Sequence, residues 1–522
     1  MRLSYLPPLM VYMAAGISGL TQIVGTFFVK DYLGLTAEFL AALGFWAGMP
    51  WALKMPIGHL VDLIWRFKSI LVFIGAALIA TSLLIMVGLL GDPEAMRLIM
   101  PAETWFVIST LLAPVGYVVQ DVVADAMTVE AVPHVDADGQ PIAPEKLRLM
   151  HTTMQTLGRV AIISGGIFVA LLNVYLFKGA AELNEAAKVA IYTDIYKFAL
   201  FIPLVSVLGV ALGLWLKWRE LKHLQNKGHT FKTAWTLLNT QDEKPKANMW
   251  ILGGSLVFVI FSLGVGLTGI PFNQEIIFVG SMAIILFLMS RLLKVLEAEA
   301  RRTLVGTAII IFVFRAMPTP GPGATWWMID ELKFDQQFLS VLALIGGLLT
   351  LLGLFAFRRF VAEKSIASVV AVLTLVGTCL SLPIIGMYYG LHEWTAALTG
   401  GVVDARFIAL VDTALESPLG QIAMIPMLAW IANSAPKQLK ATYFAVMASF
   451  TNLALSASQL LTKYLNQIFT ISREVKDPAS KLTVTSADYG DLGFLLITVT
   501  FLVFALPLLT IFVVQKSKLQ SA

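Results

Sequence analysis

The sequence predicts an all-α membrane protein that crosses the bilayer many times. Three observations predict it. Of 522 residues, 58% are apolar and only 13% are charged, about half the ~25% of soluble domains. Mean hydropathy is +0.80. The apolar residues fall in runs long enough to span a bilayer, separated by polar turns. Such a chain has too little polar surface to cover a soluble core, which excludes the soluble globular and disordered classes. A single cysteine, Cys379, excludes a disulfide framework and a thiolate metal cluster. Lys and Arg number 37 against 33 Asp and Glu, an excess too small to point to nucleic acid.

A span needs about 20 mostly apolar residues. Fourteen segments qualify. Six come first, at 8–29, 37–60, 69–90, 104–129, 151–177 and 196–216. A polar stretch at 217–248 follows. Two more lie at 249–270 and 276–293, and the last six at 303–328, 336–357, 365–388, 406–432, 439–469 and 490–514. The first run exceeds the 7–15 apolar residues of a signal core. It also holds Gly16, Gly19, Thr21, Gln22 and Gly25, which suit a span packed against others. It is expected to be retained.

Lys and Arg in the connections set the orientation. With the N-terminus in the cytoplasm, 23 of them fall inside and 11 outside. Both termini are therefore expected in the cytoplasm, which needs an even number of spans. The remaining three, Lys54, Arg159 and Arg315, lie within spans.

A repeat divides the chain. Residues 27–43 read FFVKDYLGLTAEFLAAL and residues 326–342 read WWMIDELKFDQQFLSVL. At an offset of 299, Asp31 matches Asp330, Leu33 matches Leu332, Phe39 matches Phe338, Leu40 matches Leu339 and Leu43 matches Leu342. Each segment closes one span, makes a short outside turn and opens the next. The expected organisation is a six-helix half at 1–216, a basic cytoplasmic linker at 217–248, two inserted helices at 249–302 and a second six-helix half at 303–522. Two like-oriented six-span halves are the layout of the major facilitator fold, whose substrate cavity lies between the halves. Here that layout is written 6+2+6, with the added pair expected at the periphery. The connection between spans two and three reads Gly58-His-Leu-Val-Asp62-Leu-Ile-Trp-Arg66-Phe-Lys68. It resembles the signature loop of that fold, in which Asp62, Arg66 and Lys68 would form a conformational latch and Gly58 a close helix approach.

An ionisable group inside a span costs about 3 kcal/mol or more and is a functional candidate by default. The acids are Asp121 and Asp125 in span four and Asp412 and Glu416 in span twelve, each pair spaced to share one helical face. Lys54, Asp121, Asp125 and Arg159 fall at a common depth in the inner half of the membrane. That depth predicts Lys54 or Arg159 within ion-pair range of Asp121 or Asp125. Arg315 and Glu416 fall near the midplane and Asp412 nearer the outside. Charges of this kind also serve as purely structural helix ties, but four acids and three bases together favour contact with substrate or protons. Span nine carries Arg315-Ala-Met-Pro318-Thr-Pro320-Gly321-Pro322-Gly323, which cannot hold an unbroken helix. A broken span must face protein or a watery cavity. Among the aromatics, Trp326 and Trp327 suit interfacial anchors, whereas Trp46 and Tyr117 lie deeper and are the stacking candidates.

Several stretches resemble the folate-biopterin transporter family of the major facilitator superfamily. They are Phe28-Val-Lys-Asp-Tyr-Leu-Gly-Leu, Met49-Pro-Trp-Ala-Leu-Lys54, Asp121-Val-Val-Ala-Asp125-Ala, Pro318-Thr-Pro, Asp330-Glu-Leu-Lys-Phe, Gly420-Gln-Ile-Ala-Met-Ile-Pro426 and Ala441-Thr-Tyr-Phe-Ala. The family usually has twelve spans, so the segment 249–293 is an addition. Fourteen spans and Gln120-Asp121-x-x-x-Asp125-Ala are also similar to the muropeptide permeases. The resemblance implies proton-coupled secondary transport of folates or pterins, or else of another organic anion. It implies a monomer in a bacterial inner membrane with no cofactor and no metal. A pterin edge suits a buried carboxylate, a folate tail suits Arg159 or Arg315, and a flat ring suits Tyr117. An enzyme would need a nucleophile, a base or metal ligands at membrane depth. The six histidines sit at span ends or in loops, and HExxH, GxSxG and P-loop motifs are absent from the sequence. A non-transporting receptor would leave the broken ninth span unexplained.

Overall fold

Long apolar runs with few polar breaks leave a backbone one way to satisfy its hydrogen bonds in lipid, the α-helix. The computed structural model is accordingly helical almost throughout. It describes residues 3–521 apart from 34, 53, 65–66, 133–141, 229, 239–248, 269, 295–296, 358–363, 420–439, 477–482, 518 and 520. The chain runs through α1 (Leu6–Ile17), α2 (Gln22–Tyr32), α3 (Ala37–Ala52), α4 (Lys54–Leu63), α5 (Ser69–Gly91), α6 (Pro93–Ile99) and α7 (Ala102–Ala131). It continues through α8 (Pro144–Leu176), α9 (Glu185–Ala199), α10 (Phe201–Asn226), α11 (Phe231–Leu238), α12 (Met249–Leu267) and α13 (Asn273–Leu293). The second part holds α14 (Ala298–Arg315), α15 (Pro322–Asp330), α16 (Gln336–Ala356), α17 (Ile366–Tyr388), α18 (Leu391–Leu398), α19 (Ala405–Glu416), α20 (Lys440–Ile468) and α21 (Leu492–Lys516).

Among the described residues, ten helical stretches are long and apolar enough to cross a membrane. They coincide with ten of the fourteen predicted spans. The other four are not among them: α3 with α4, α14 with α15, α20, and span twelve, of which α19 is described while 420–432, with the motif at 420–426, lies outside the described residues. The connections depart further from expectation. Residues 185–195, left by the sequence reading in an outside connection, belong to α9, which Asn184 caps by accepting from the Ala187 N–H. Between α20 and α21 lies a small antiparallel hairpin of β1 (Val475–Lys476) and β2 (Thr483–Thr485). No periodicity in the sequence announces it.

The early helices close on a core that includes Phe27, Phe28, Ile79, Met86 and Tyr192. The tightest crossing there joins α1 to α8. A Cβ on Gly16 would collide with the Ile162 carbonyl oxygen, and one on Gly165 would lie 2.7 Å from that of Met13. Only glycine lets the backbones approach so closely. Gly16→Ala is expected to lower the thermal unfolding midpoint in detergent. Gly166→Ala, whose added Cβ meets nothing within 4 Å, is expected to leave it unchanged. Equal midpoints would show that the crossing tolerates separation.

The parts of the chain before and after the linker meet along two seams, α3 and α4 against α20, and α8 against α16. At the first seam the Asn452 amide donates to the Trp51 carbonyl at 3.1 Å. The added helices α12 and α13 pack on each other and lie along its flank, α12 on α4 and α13 on α20. Gln274 donates to the Ala42 carbonyl at 2.9 Å, and Glu275 accepts from Lys463 at 2.9 Å and from Tyr464 at 2.6 Å. Leu256, Val257, Ile260, Val279 and Phe287 on the same two helices are exposed, an apolar surface suited to lipid.

Span nine is broken where the prolines predict. The first segment, α14, ends at Arg315, and α15 begins at Pro322 after Gly321 at φ 77°. The break faces α20. Ser458 donates to the Met317 carbonyl at 2.6 Å, Thr462 accepts from the Thr319 N–H at 3.0 Å, and Asn466 donates to the Pro320 carbonyl at 3.3 Å. These three polar residues recur every fourth position, so they form one stripe on α20 that supplies the partners the lost helix turns would have given.

Candidate functional site

Two glycines begin the site. A Cβ on Gly75 of α5 would sit 2.6 Å from the Gly116 carbonyl of α7, so the two helices touch at backbone distance. One turn on, Gln120 donates to the Val72 carbonyl at 3.1 Å and accepts from Ser206 of α10 at 2.9 Å. Gln120 thus fixes the rotation of α7 and turns its next residue, Asp121, away from α5 and α10.

Asp121 and Asp125 meet Lys54 at the start of α4. The ammonium lies 2.6 Å from Asp121 Oδ2 and 2.8 Å from Asp125 Oδ2. The ion pairing predicted from common depth is therefore present, and it is made by Lys54. Tyr12 of α1 adds a hydroxyl that donates to Asp125 Oδ1 at 2.5 Å. Its ring fits because position 158 is glycine: a Cβ there would come within 2.9 Å of Tyr12 Cε2. The two carboxylates are not equivalent. Asp125 is 39% exposed and has two donors, whereas Asp121 is 15% exposed and has Lys54 alone among the described residues.

Arg159 of α8 is half-buried and near enough to feel Asp121, Tyr12 and Arg315 electrostatically. Among the described residues it has no carboxylate within ion-pair distance. Arg315, from the other part of the chain, donates through Nε to the Thr451 carbonyl of α20 at 3.2 Å. Two guanidinium groups from the two parts of the chain thus share one region. Such a pair repels and is relieved by an anion placed between.

The remaining expected residues are distributed differently. Tyr117 lies one turn before Asp121, beside Ser18. Trp46 does not join this cluster: it packs edge-on to Phe45 and against Gly266 of α12, so it serves the flank where the added pair docks. Asp412 and Glu416 interact with each other and form no ion pair among the described residues. One Asp412 oxygen is buried with no partner there. In the expected latch, Gly58 meets Val122 at 3.9 Å from a built Cβ, so ordinary packing would admit a larger residue. Lys68 pairs with Glu130 at 2.7 Å, and burial pushes its ammonium below the usual lysine range. Arg66 and the Asp62 side chain lie outside the described residues.

A second charged assembly, with little trace in the sequence, ties the two parts of the chain together at the end expected to face outside. Lys30 Nζ lies 3.5 Å from Asp31 and 2.5 Å from Asp330, the two acids matched by the repeat. Tyr489 donates to Asp330 at 2.5 Å, and burial together with that bond pushes its hydroxyl pKa up. Arg473 donates to the carbonyls of Lys30 at 2.6 Å, Leu35 at 2.9 Å and Leu33. Its guanidinium stacks 4.5 Å from the Trp326 ring centre, is 2% exposed, and burial lowers its pKa. The Gln336 amide of α16 donates to the Tyr192 hydroxyl of α9 at 2.7 Å. The match between Asp31 and Asp330 is the one sequence signal of this assembly. Tyr12 gives none, being one aromatic within an apolar span.

The fold is shared with solved transporters. A point mutant of the peptide transporter POT aligns with TM-score 0.61 and 14% identity over 98% of this chain and 94% of that one. A POT family transporter in complex with 5-aminolevulinic acid gives 0.60 and 13% over 98% and 95%. A point mutant of the nucleoside transporter NupG gives 0.55 and 10% over 98% and 99%. Among curated relatives, the folate-biopterin transporter of Synechocystis sp. is 22% identical over 465 residues, 88% of this chain and 74% of that protein. A putative folate transporter 2 of Plasmodium berghei is 27% identical over 32% of this chain and 36% of its own length. The model of the BT1 family matches residues 15–521. The chain therefore belongs to the BT1 family, and it carries the helical fold of major facilitator transporters.

Proposed function

We propose that this protein is a proton-coupled secondary transporter that moves planar, anionic, folate- or pterin-like solutes by alternating access. The observation that carries the proposal is Arg159, a half-buried cation without a paired carboxylate among the described residues, within electrostatic reach of Asp121 and Tyr12 on one side of the chain's division and of Arg315 on the other. Arg159 takes the solute's carboxylate, with Arg315 behind it. Asp121 and Asp125 take the coupling proton or the solute's aminopyrimidinone edge, and Tyr117 offers a stacking face. The names of the curated relatives support folate-like cargo. The two halves at 1–216 and 303–522 rock about the site as a monomer. The pair within 249–302 rides on the flank, 217–248 forms the cytoplasmic linker, and both termini face the cytoplasm of a bacterial inner membrane. Asp412 and Glu416 act as a second acidic pair on the later half. Gly58, Asp62, Arg66 and Lys68 form the inner latch.

Uptake of labelled folate into proteoliposomes, with and without an inward proton gradient, tests this. The expected result is accumulation that collapses on adding a protonophore. No uptake of any folate or pterin would overturn the cargo, and accumulation indifferent to the protonophore would overturn the coupling.

A further inference from the structure

The two carboxylates of the Lys54 cluster differ in two respects, their donors and their exposure. Asp125 keeps a neutral donor, the Tyr12 hydroxyl, on the oxygen that Lys54 does not touch. It is also the more exposed of the two, at 39% against 15% for Asp121. Hydrogen bonds and water both stabilise a carboxylate as an anion. If Lys54 swings away, Asp125 retains Tyr12 and solvent, while Asp121 is left as a buried charge with no donor among the described residues. Stranding a buried charge is costly, and taking up a proton removes the cost.

We infer that Asp121, and not Asp125, is the carboxyl that carries the coupling proton, and that Tyr12 is the positioning residue that shares Asp125 with Lys54 and so leaves Lys54 to Asp121. This rests on the transport reading above. The charged and titratable groups facing Asp121 come from every helix that bears on the step: Lys54 of α4, Arg159 of α8, Tyr12 of α1, and Asp125 one turn along α7. On the side of α5 and α10, Asp121's neighbour Gln120 presents a neutral amide.

The step balances without any redox partner. An anionic solute reaching Arg159 places its carboxylate in the field of Lys54. The Lys54 ammonium, still protonated, exchanges its bond to Asp121 for one to the solute. Asp121 then accepts a proton from water on the side open to the cluster, forming one O–H bond and becoming neutral. The loaded site thus carries one added negative solute charge and one added proton. On release the order reverses: Lys54 returns to Asp121 and displaces the proton to water. Tyr12 acts only through Asp125, by occupying the oxygen that Lys54 does not touch. Gly158, which leaves room for the Tyr12 ring, belongs to the same device.

The test compares gradient-driven accumulation with folate exchange in proteoliposomes for wild type, Asp121→Asn, Asp125→Asn and Tyr12→Phe. Asp121→Asn is expected to reduce accumulation at least tenfold more than it reduces exchange. Asp125→Asn is expected to reduce both to a similar degree. Tyr12→Phe, which leaves Lys54 as the donor to Asp125 and so loosens its hold on Asp121, is expected to move the pH of half-maximal exchange while Asp121→Asn flattens the pH profile. A purely structural Tyr12 would lower all rates without moving that midpoint. A second measurement needs no variant. A carbodiimide that attacks protonated carboxyls, followed by mass spectrometry of the wild type, is expected to mark Asp121 severalfold more when folate is present. Selective loss of accumulation in Asp125→Asn, or folate-stimulated label on Asp125, would overturn the assignment. Folate exchange without any gradient-driven accumulation in the wild type would instead overturn the proton coupling on which it rests.

Discussion

Lys54→Ala is expected to abolish folate uptake and to destabilise the folded protein by about 3–5 kcal/mol, the cost of stranding a buried charge after removing its partner. The effect should fall toward the lower end, since Asp125 remains 39% exposed and water screens what Lys54 no longer neutralises. Two like charges one helical turn apart on α7 would then face each other without a cation between them. The double variant Lys54→Ala/Asp121→Asn removes one of those charges and is expected to recover most of the thermal midpoint in detergent, though not transport. A single variant as stable as the wild type would mean that the cluster is solvated enough to need no lysine. A double variant no more stable than the single would mean that the loss comes from packing.

Arg473→Ala is expected to have the next largest effect, on conformation more than on binding. The guanidinium belongs to the connection after α20, while its three carbonyl acceptors lie between residues 30 and 35. A bond from a charged donor contributes about 1.5–3 kcal/mol, and about 1.4 kcal/mol is tenfold in a population. Loss of even one such bond should shift the balance toward the form open at this end by tenfold or more. The shift can be read as a longer spin-label distance between Asp194→Cys on α9 and Trp394→Cys on α18, in a Cys379→Ser background. Asp330→Asn, which cuts the Lys30 ion pair and weakens the Tyr489 contact, should move the same distance in the same direction. Unchanged distances in both variants would show that this assembly is a surface tie and not a closure.

The apolar runs, the helical class and the proline break after Arg315 are legible in the sequence because each rests on composition or local backbone chemistry. The pairing of Lys54 with Asp121 and Asp125 is legible because depth in a membrane can be counted along a helix, and charges at one depth seek each other. What stays hidden depends on distant segments meeting. Arg473 donates to backbone carbonyls, which every residue carries, and stacks on a tryptophan from a distant segment, so no acidic partner marks it. Tyr12 reaches Asp125 only because Gly158, on a third helix, leaves room. Depth places Trp46 among the cavity candidates but says nothing about rotation, and the rotation of α3 turns it toward Gly266 on α12. The helix at α9 escapes a search for spans because its apolar and polar residues alternate too closely, while its cap, Asn184, is a local signal that such a search passes over.

The central claim is that the charges around Lys54 and Arg159 form the solute site. Equilibrium binding of folate and of a pterin lacking the glutamate tail, to purified wild type and to Arg159→Ala, tests it most directly. Arg159→Ala is expected to weaken folate binding at least tenfold, as loss of a charge-assisted pair of about 1.5–3 kcal/mol requires, while pterin binding changes less than about threefold. Folate binding unaffected by the substitution, or equal losses for folate and the tail-less pterin, would contradict the placement of the anion at Arg159.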